Sequence, residues 1–318
     1  MPENLFYSNI ANHMIFNKTG LVTGEFYVAG LSWSPVYLFN CTRPVIFEAG
    51  FACAGRLYED DIRAILKGRQ PDILFLTHVH WDHCGGASYI RKSFPDIKVA
   101  ASERAASIMK RPNAQNLIKT LSKDAIPLIS EYYGIDRTEL LDDPFKPFDI
   151  DIVLEDGQTI QIDDNLTVQV IATPGHTRDH LCYYIPEKKI LIATEASGVQ
   201  DRTGNIVPEF LVDYDMYVAS MKRLMELPAE VLCQGHHFVF VGREAVRDFL
   251  TRSLREAEYF KNHVIELLRS ENGSVEDVMR RIKAEQYDPN PGPKQTEKAY
   301  LLNLKTRISH LAERFYSG

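Results

Sequence analysis

Ile73-Leu74-Phe75-Leu76-Thr77-His78-Val79-His80-Trp81-Asp82-His83-Cys84-Gly85-Gly86 places three imidazoles and a carboxylate within six positions, directly after an apolar run. The run has the length and composition of a buried strand, and the glycines that follow mark the turn out of it. Alternation along an extended chain puts His78 and His80 on one face. The turn then brings Asp82 and His83 round to a neighbouring locus, so one short peptide begins two metal sites. Histidines this dense at a strand end point to metal binding rather than to a solvated loop.

The His-x-His-x-Asp-His spacing resembles that of the metallo-β-lactamase-fold hydrolases, which include glyoxalase II-type thioesterases, lactonases, phosphodiesterases and some nucleases. Further matches follow in the order that resemblance requires. Thr173-Pro174-Gly175-His176-Thr177 stands after the strand-like Leu166-Thr167-Val168-Gln169-Val170-Ile171, and Gln234-Gly235-His236-His237 follows Val231-Leu232-Cys233. The resemblance covers roughly residues 20 to 240. It implies that His78, His80 and His176 hold one metal and that Asp82, His83 and His236 hold a second.

Two positions depart from the pattern. The bridging aspartate of the family aligns with Glu195 in Ile190-Leu191-Ile192-Ala193-Thr194-Glu195, and a second aspartate, which braces the metal loop from behind, aligns with Glu48 in Phe47-Glu48-Ala49-Gly50. Each acid is one methylene longer. A longer acid can still bridge after a small backbone shift, bind one ion only, or swing away, so the dinuclear site hangs on Glu195.

The resemblance sharpens an α/β reading into a four-layer αββα sandwich. Residues 1–242 form the catalytic domain, with a helical insertion at about 102–148, and residues 243–318 form a helical C-terminal extension. The insertion carries Ile108, Met109, Leu117, Ile118, Leu121, Ile126, Leu128, Ile129, Tyr132 and Tyr133, as a packing stripe or as a lid over the metals. In the extension, apolar residues from Val246 to Leu268 follow i, i+3, i+4 spacing and predict a helix over 243–270. Ser274 caps a second helix, Asp288-Pro289-Asn290-Pro291-Gly292-Pro293 is a stiff linker, and Gln295 to Phe315 forms a third helix. Some members of the resembling family end in a winged helix with this order, but no residues remain here for a wing. The expected place of the tail is the active-site rim or a homodimer contact.

Composition narrows the partners. The chain has 318 residues, 45% hydrophobic and 25% charged, with a net charge of −7. By count, about nine surplus negative charges precede Arg243, which leaves no basic stripe for nucleic acid. No apolar run approaches the roughly 20 residues of a membrane span, and Met1-Pro2-Glu3-Asn4 lacks the features of a secretory signal. Cys41, Cys53, Cys84, Cys182 and Cys233 show no pairing pattern, which fits reduced thiols in the cytosol. Cys84 and Cys233, although beside the histidines, read as packing residues.

The chemistry follows from the ligands. A divalent ion on neutral imidazoles and a carboxylate lowers the pKa of bound water from about 15.7 toward 7, and hydrolysis of a small thioester, ester or phosphodiester needs little more. Zinc suits the ligand set, and manganese and iron are accepted too. Asp82 is the expected acceptor of the nucleophile's proton. His180 is expected either to donate to the leaving group or to be held structurally, and His237 to serve the rim. The alternatives are an oxidoreductase resembling the mononuclear-iron persulfide dioxygenases of this fold, and a regulatory protein with a vestigial site.

Overall fold

The computed structural model describes residues 13–15, 19–142, 145–290 and 294–316. The N-terminal Met1–Asn4 segment and residues 291–293 of the proline-rich linker lie outside the described residues. Two seven-stranded sheets face each other. One runs in the order Gly20–Thr23, Phe26–Ala29, Val36–Phe39, Val45–Phe47, Ile73–Phe75, Lys98–Ser102, Ile152–Leu154. The other runs His13–Ile15, Phe238–Val241, Val231–Cys233, Ile190–Ile192, Leu181–Ile185, Leu166–Ala172, Thr159–Asp163. The expected four-layer sandwich is therefore observed.

The apolar run that delivers the metal loop is hydrophobic on both faces because both are covered. Phe75 points into the core between the sheets, stacked on Phe47 with ring centroids 5.1 Å apart, while Leu74 points outward beneath the helices Gly55–Leu66 and Ala87–Ser93. The second sheet is covered on its outer face by Tyr214–Met225 and Arg243–Ser270.

Topology brings the functional loops to one edge. Val45–Phe47 and Ile73–Phe75 run parallel, so Glu48 and His78 leave their strands at the same end. In the partner sheet, Leu166–Ala172 and Ile190–Ile192 both lie antiparallel to Leu181–Ile185, and Ile190–Ile192 is parallel to Val231–Cys233. Those three strands share a direction, and their carboxyl ends carry His176, Glu195 and His236. Cross-sheet bonds tie the edges together: the Tyr183 hydroxyl donates to Leu76 O at 2.6 Å and Tyr37 to Gln234 O at 2.6 Å.

The insertion is helical, over Glu103–Met109, Pro112–Asp124 and Ile126–Tyr133. Its two faces have different surroundings. Ile118, Ile126 and Ile129 pack into the outer core, while Leu117 and Leu121 line the catalytic cleft. In the extension, Ser274 Oγ accepts from Asp277 N as the cap of Val275–Ile282, and Glu297–Phe315 forms the last helix. These helices share one apolar cluster with Phe210, Tyr214, Tyr217 and Met221, so they pack against the helix that lies directly over the Pro174–His176 turn.

Candidate metal centre

Two triads of ligand atoms stand side by side. The candidate nitrogens of His78, His80 and His176 lie within 4.8 Å of one another, as do those of His83 and His236 with a carboxylate oxygen of Asp82. Ligands around a tetrahedral ion at about 2.1 Å sit roughly 3.4 Å apart, so modest closure converts either triad into a coordination shell. Glu195 lies between them. Its Oε1 is 3.1 Å from Nε2 of both His83 and His236, and its Oε2 is 3.8 Å from His78 Nε2. All seven residues singled out from the sequence as ligands thus converge on one locus.

The imidazoles are oriented by what holds their other nitrogens. His83 Nδ1 donates to Glu48 Oε2 at 2.7 Å, His176 Nδ1 donates to Glu209 O at 2.5 Å, and His236 Nδ1 donates to Trp33 O. His78 Nδ1 meets the Thr77 hydroxyl at 3.0 Å. Each Nε2 is left facing inward with its lone pair, as metal-binding histidines require. The donors fit a cation on a second ground: His78 Nε2 and Glu195 Oε2 are buried without a hydrogen-bond partner. A buried carboxylate oxygen left unpaired is costly unless a cation satisfies it.

Electrostatics agree. Burial, reinforced by the neighbouring imidazoles, holds His78 well below its usual pKa, and burial and His80 do the same for His176. Burial also opposes protonation of His83, but Glu195 and Asp82 outweigh it and raise that ring well above the usual value. Glu195 is driven well below the ordinary carboxylate range: burial resists, and the His83 and His236 rings prevail. The Glu195 carboxylate is thus anionic and turned toward the nitrogens of His83 and His236, where a metal ion would take the place of their protons.

Both lengthened acids are accommodated by unusual backbone. Glu48 has φ +67°, and Thr194, immediately before Glu195, has φ +43°, conformations rare for non-glycine and especially for β-branched residues. Glu48 braces from behind, as the resemblance implies: its Oε1 accepts from Thr77 N at 2.8 Å while Oε2 holds His83. Room for Glu195 comes from Gly235, where a Cβ would lie 1.8 Å from Glu195 Oε1.

His180 does not face the cleft. It is 1% exposed, with Nδ1 2.8 Å from Thr173 Oγ1 and Nε2 2.9 Å from Thr194 Oγ1. Burial pulls its pKa down to about 3. A neutral ring with both nitrogens engaged orients Thr194 and, through it, Glu195; it leaves no free nitrogen for a leaving group. Of the two roles expected of His180, this geometry fits the structural one and gives no support to a proton donor. His237 lines the cleft with its Nδ1 unpartnered. Cys84 and Cys233 pack into separate cores, and all five cysteines are unpaired.

The cleft above the centre has a volume of about 720 Å³. Trp33, Trp81, Leu117 and Leu121 give it apolar lining, and Tyr287, Lys294, Tyr300 and Asn303 of the C-terminal extension line it as well. Glu209 also lines it. Burial lifts its carboxyl to about 7, with Arg307 pulling it down and Glu195 pushing it up.

The family model for the metallo-beta-lactamase superfamily matches residues 34–236, and the chain belongs to that superfamily. With this donor set it is a metallo-hydrolase. It is 25% identical over 220 residues to a protein from Enterobacter sp. (strain 638) named hydroxyacylglutathione hydrolase, covering 69% of this chain and 68% of that protein. It is 28% identical over 175 residues to Glyoxylase B2 of Dictyostelium discoideum, covering 54% of this chain and about half of that one, 52%. Among solved structures, an archaeal metallo-beta-lactamase superfamily protein from Sulfolobus tokodaii superimposes with a TM-score of 0.55 at 17% identity, over 95% of this chain and 98% of its own. That last match speaks to the fold alone.

Proposed function

We propose that this chain hydrolyses a small thioester at a site holding two divalent ions, most naturally zinc. The observation that carries the reading is the pair of triads joined by Glu195 beneath a cleft of about 720 Å³. Divalent ions bound there supply Lewis acidity and lower the pKa of water.

The chain's own residues do the rest. Glu48, Trp33 O, Glu209 O and Thr77 fix the rings so that lone pairs point inward. Asp82, 16% exposed and 3.7 Å from His236 Nε2, faces the cleft and takes the proton of the attacking water. The apolar lining of Trp33, Trp81, Leu117 and Leu121 receives the acyl or thiol arm and excludes bulk water.

A thioester is favoured over a phosphodiester because the cleft is rich in acids. Asp201, Glu256 and Glu285 line it and outnumber Arg252 and Lys294, and the acidic excess disfavours a substrate that keeps its negative charge at the reacting centre. The similarity to a hydroxyacylglutathione hydrolase supports the same class. A direct test compares chelator-stripped protein with zinc-restored protein on acyl thioesters, bis(p-nitrophenyl) phosphate and lactones. Zinc-dependent thioester cleavage well above the others is expected; efficient phosphodiester cleavage with thioesters untouched would overturn the assignment.

A further inference from the structure

Arg307, in the last helix, is 1% exposed. Among the described residues no carboxylate lies within ion-pair distance of it, although the Glu209 carboxyl feels its charge, and its Nε has no hydrogen-bond partner. Burying a guanidinium this way is costly relative to a well-packed apolar side chain, so a compensating role is to be sought in what it touches. Its Nη1 donates to Pro208 O at 2.8 Å, and its plane lies over the Phe260 ring at 4.9 Å.

The Pro208 carbonyl belongs to the peptide unit whose N–H is that of Glu209, and this N–H donates to the Tyr217 hydroxyl at 3.3 Å. The Tyr217 hydroxyl in turn donates to Glu195 O at 3.3 Å. The next carbonyl along the chain, Glu209 O, is the one that holds His176 Nδ1. One short segment is therefore clamped from the C-terminal helix on one side and presents its carbonyl to a candidate ligand on the other. A second link runs beside it, from Tyr214 N to His310 Nε2 at 3.0 Å.

We propose that Arg307 is a positioning residue of the metal centre, fixing the Pro208–Glu209 segment on which the His176 ring is oriented, so that the C-terminal helices complete the site. The inference rests on the reading of His176 as a ligand. Deleting the helices is a poor test, because Phe210, Tyr217 and Met221 would lose their apolar cover. Point variants of the full chain serve better. Groups that orient metal ligands typically change metal affinity by about 10- to 100-fold, and Arg307 acts one residue further back, so the lower end applies.

Zinc affinity measured by competition with a chromophoric chelator, together with Tm, decides the matter. Arg307→Met fills the same space without a buried charge. It is expected to hold or raise the Tm of the metal-free protein while weakening zinc binding about tenfold, and Arg307→Lys should recover part of the affinity. Leu304→Ala, in the same helix and fully buried, is the control: a lower Tm with unchanged zinc affinity. Should Arg307→Met fail to fold, Arg307→Gln is read in the same way. Unchanged zinc affinity in the Arg307 variants, or an equal loss in Leu304→Ala, overturns the inference and leaves the metal reading standing. No zinc uptake by the wild-type chain removes both.

Discussion

Gly235→Ala tests the most unusual feature of the centre, a longer acid threaded between two histidines. Gly235 is not at positive φ, so the main chain accepts alanine there, but its Cβ would fall 1.8 Å from Glu195 Oε1, 2.7 Å from Cδ and 3.0 Å from His83 Cε1. Carbon and oxygen need about 3.2 Å, so the carboxylate must retreat by roughly 1.4 Å. That moves it out of reach of the His83 and His236 nitrogens it now approaches to 3.1 Å. A misplacement of about 1 Å at a reacting centre costs on the order of 100-fold in rate, or about 2.7 kcal/mol. Removing one methylene withdraws the carboxylate by about the same amount, close to one C–C bond length. Gly235→Ala should therefore lose about 100-fold in kcat/KM on a thioester substrate and one zinc per chain by elemental analysis. Glu195→Asp alone should lose activity to a similar extent, and the double variant Gly235→Ala/Glu195→Asp should be little worse than either single change, because both withdraw the same carboxylate from the same nitrogens. A Gly235→Ala protein of wild-type activity, or a double variant in which the two losses add in full, would refute the reasoning.

Three other perturbations have defined outcomes. Glu48→Gln cannot serve both Thr77 N and His83 Nδ1 as acceptor, so zinc affinity should fall by about 10- to 100-fold; an unchanged titration curve would place Glu48 outside the centre. His180→Ala removes two buried hydrogen bonds and opens a cavity, so unfolding in urea should show a loss of about 2–4 kcal/mol with the zinc-loaded enzyme keeping activity within tenfold. Intact stability with collapsed turnover would restore His180 as a proton donor. Stripping metal with a chelator should lower Tm by several degrees, because ions held by the native state and absent from the unfolded chain stabilise by mass action; equal Tm with and without chelator would show that the buried acids need no cation.

The legible part of the molecule was local and repetitive. The His78–His83 peptide announces itself because one strand end and one turn carry four ligands, and His176 and His236 are found by short turns with fixed neighbours. The long helix Arg243–Ser270 was legible in its apolar spacing, and the cap at Ser274 in its residue type. What sequence could not show is the support. Trp33 O and Glu209 O hold histidines through backbone carbonyls, which no side-chain identity reveals. Gly235 looked like any turn glycine until the Glu195 carboxylate was found against it. Arg307, on a helix with many surface charges, gave no sign that it is buried. His180 stayed open between two roles because its type and spacing fit a catalytic histidine, whereas Thr173 and Thr194, distant in sequence from each other, occupy both of its nitrogens.

Anomalous diffraction at the zinc edge from crystals of the zinc-loaded protein tests the central claim most directly. Two peaks per chain are expected, one among His78, His80 and His176 and the other among Asp82, His83 and His236, with Glu195 oxygens between them. Zinc confined to other surfaces, with these nitrogens drawn apart around solvent, would contradict it.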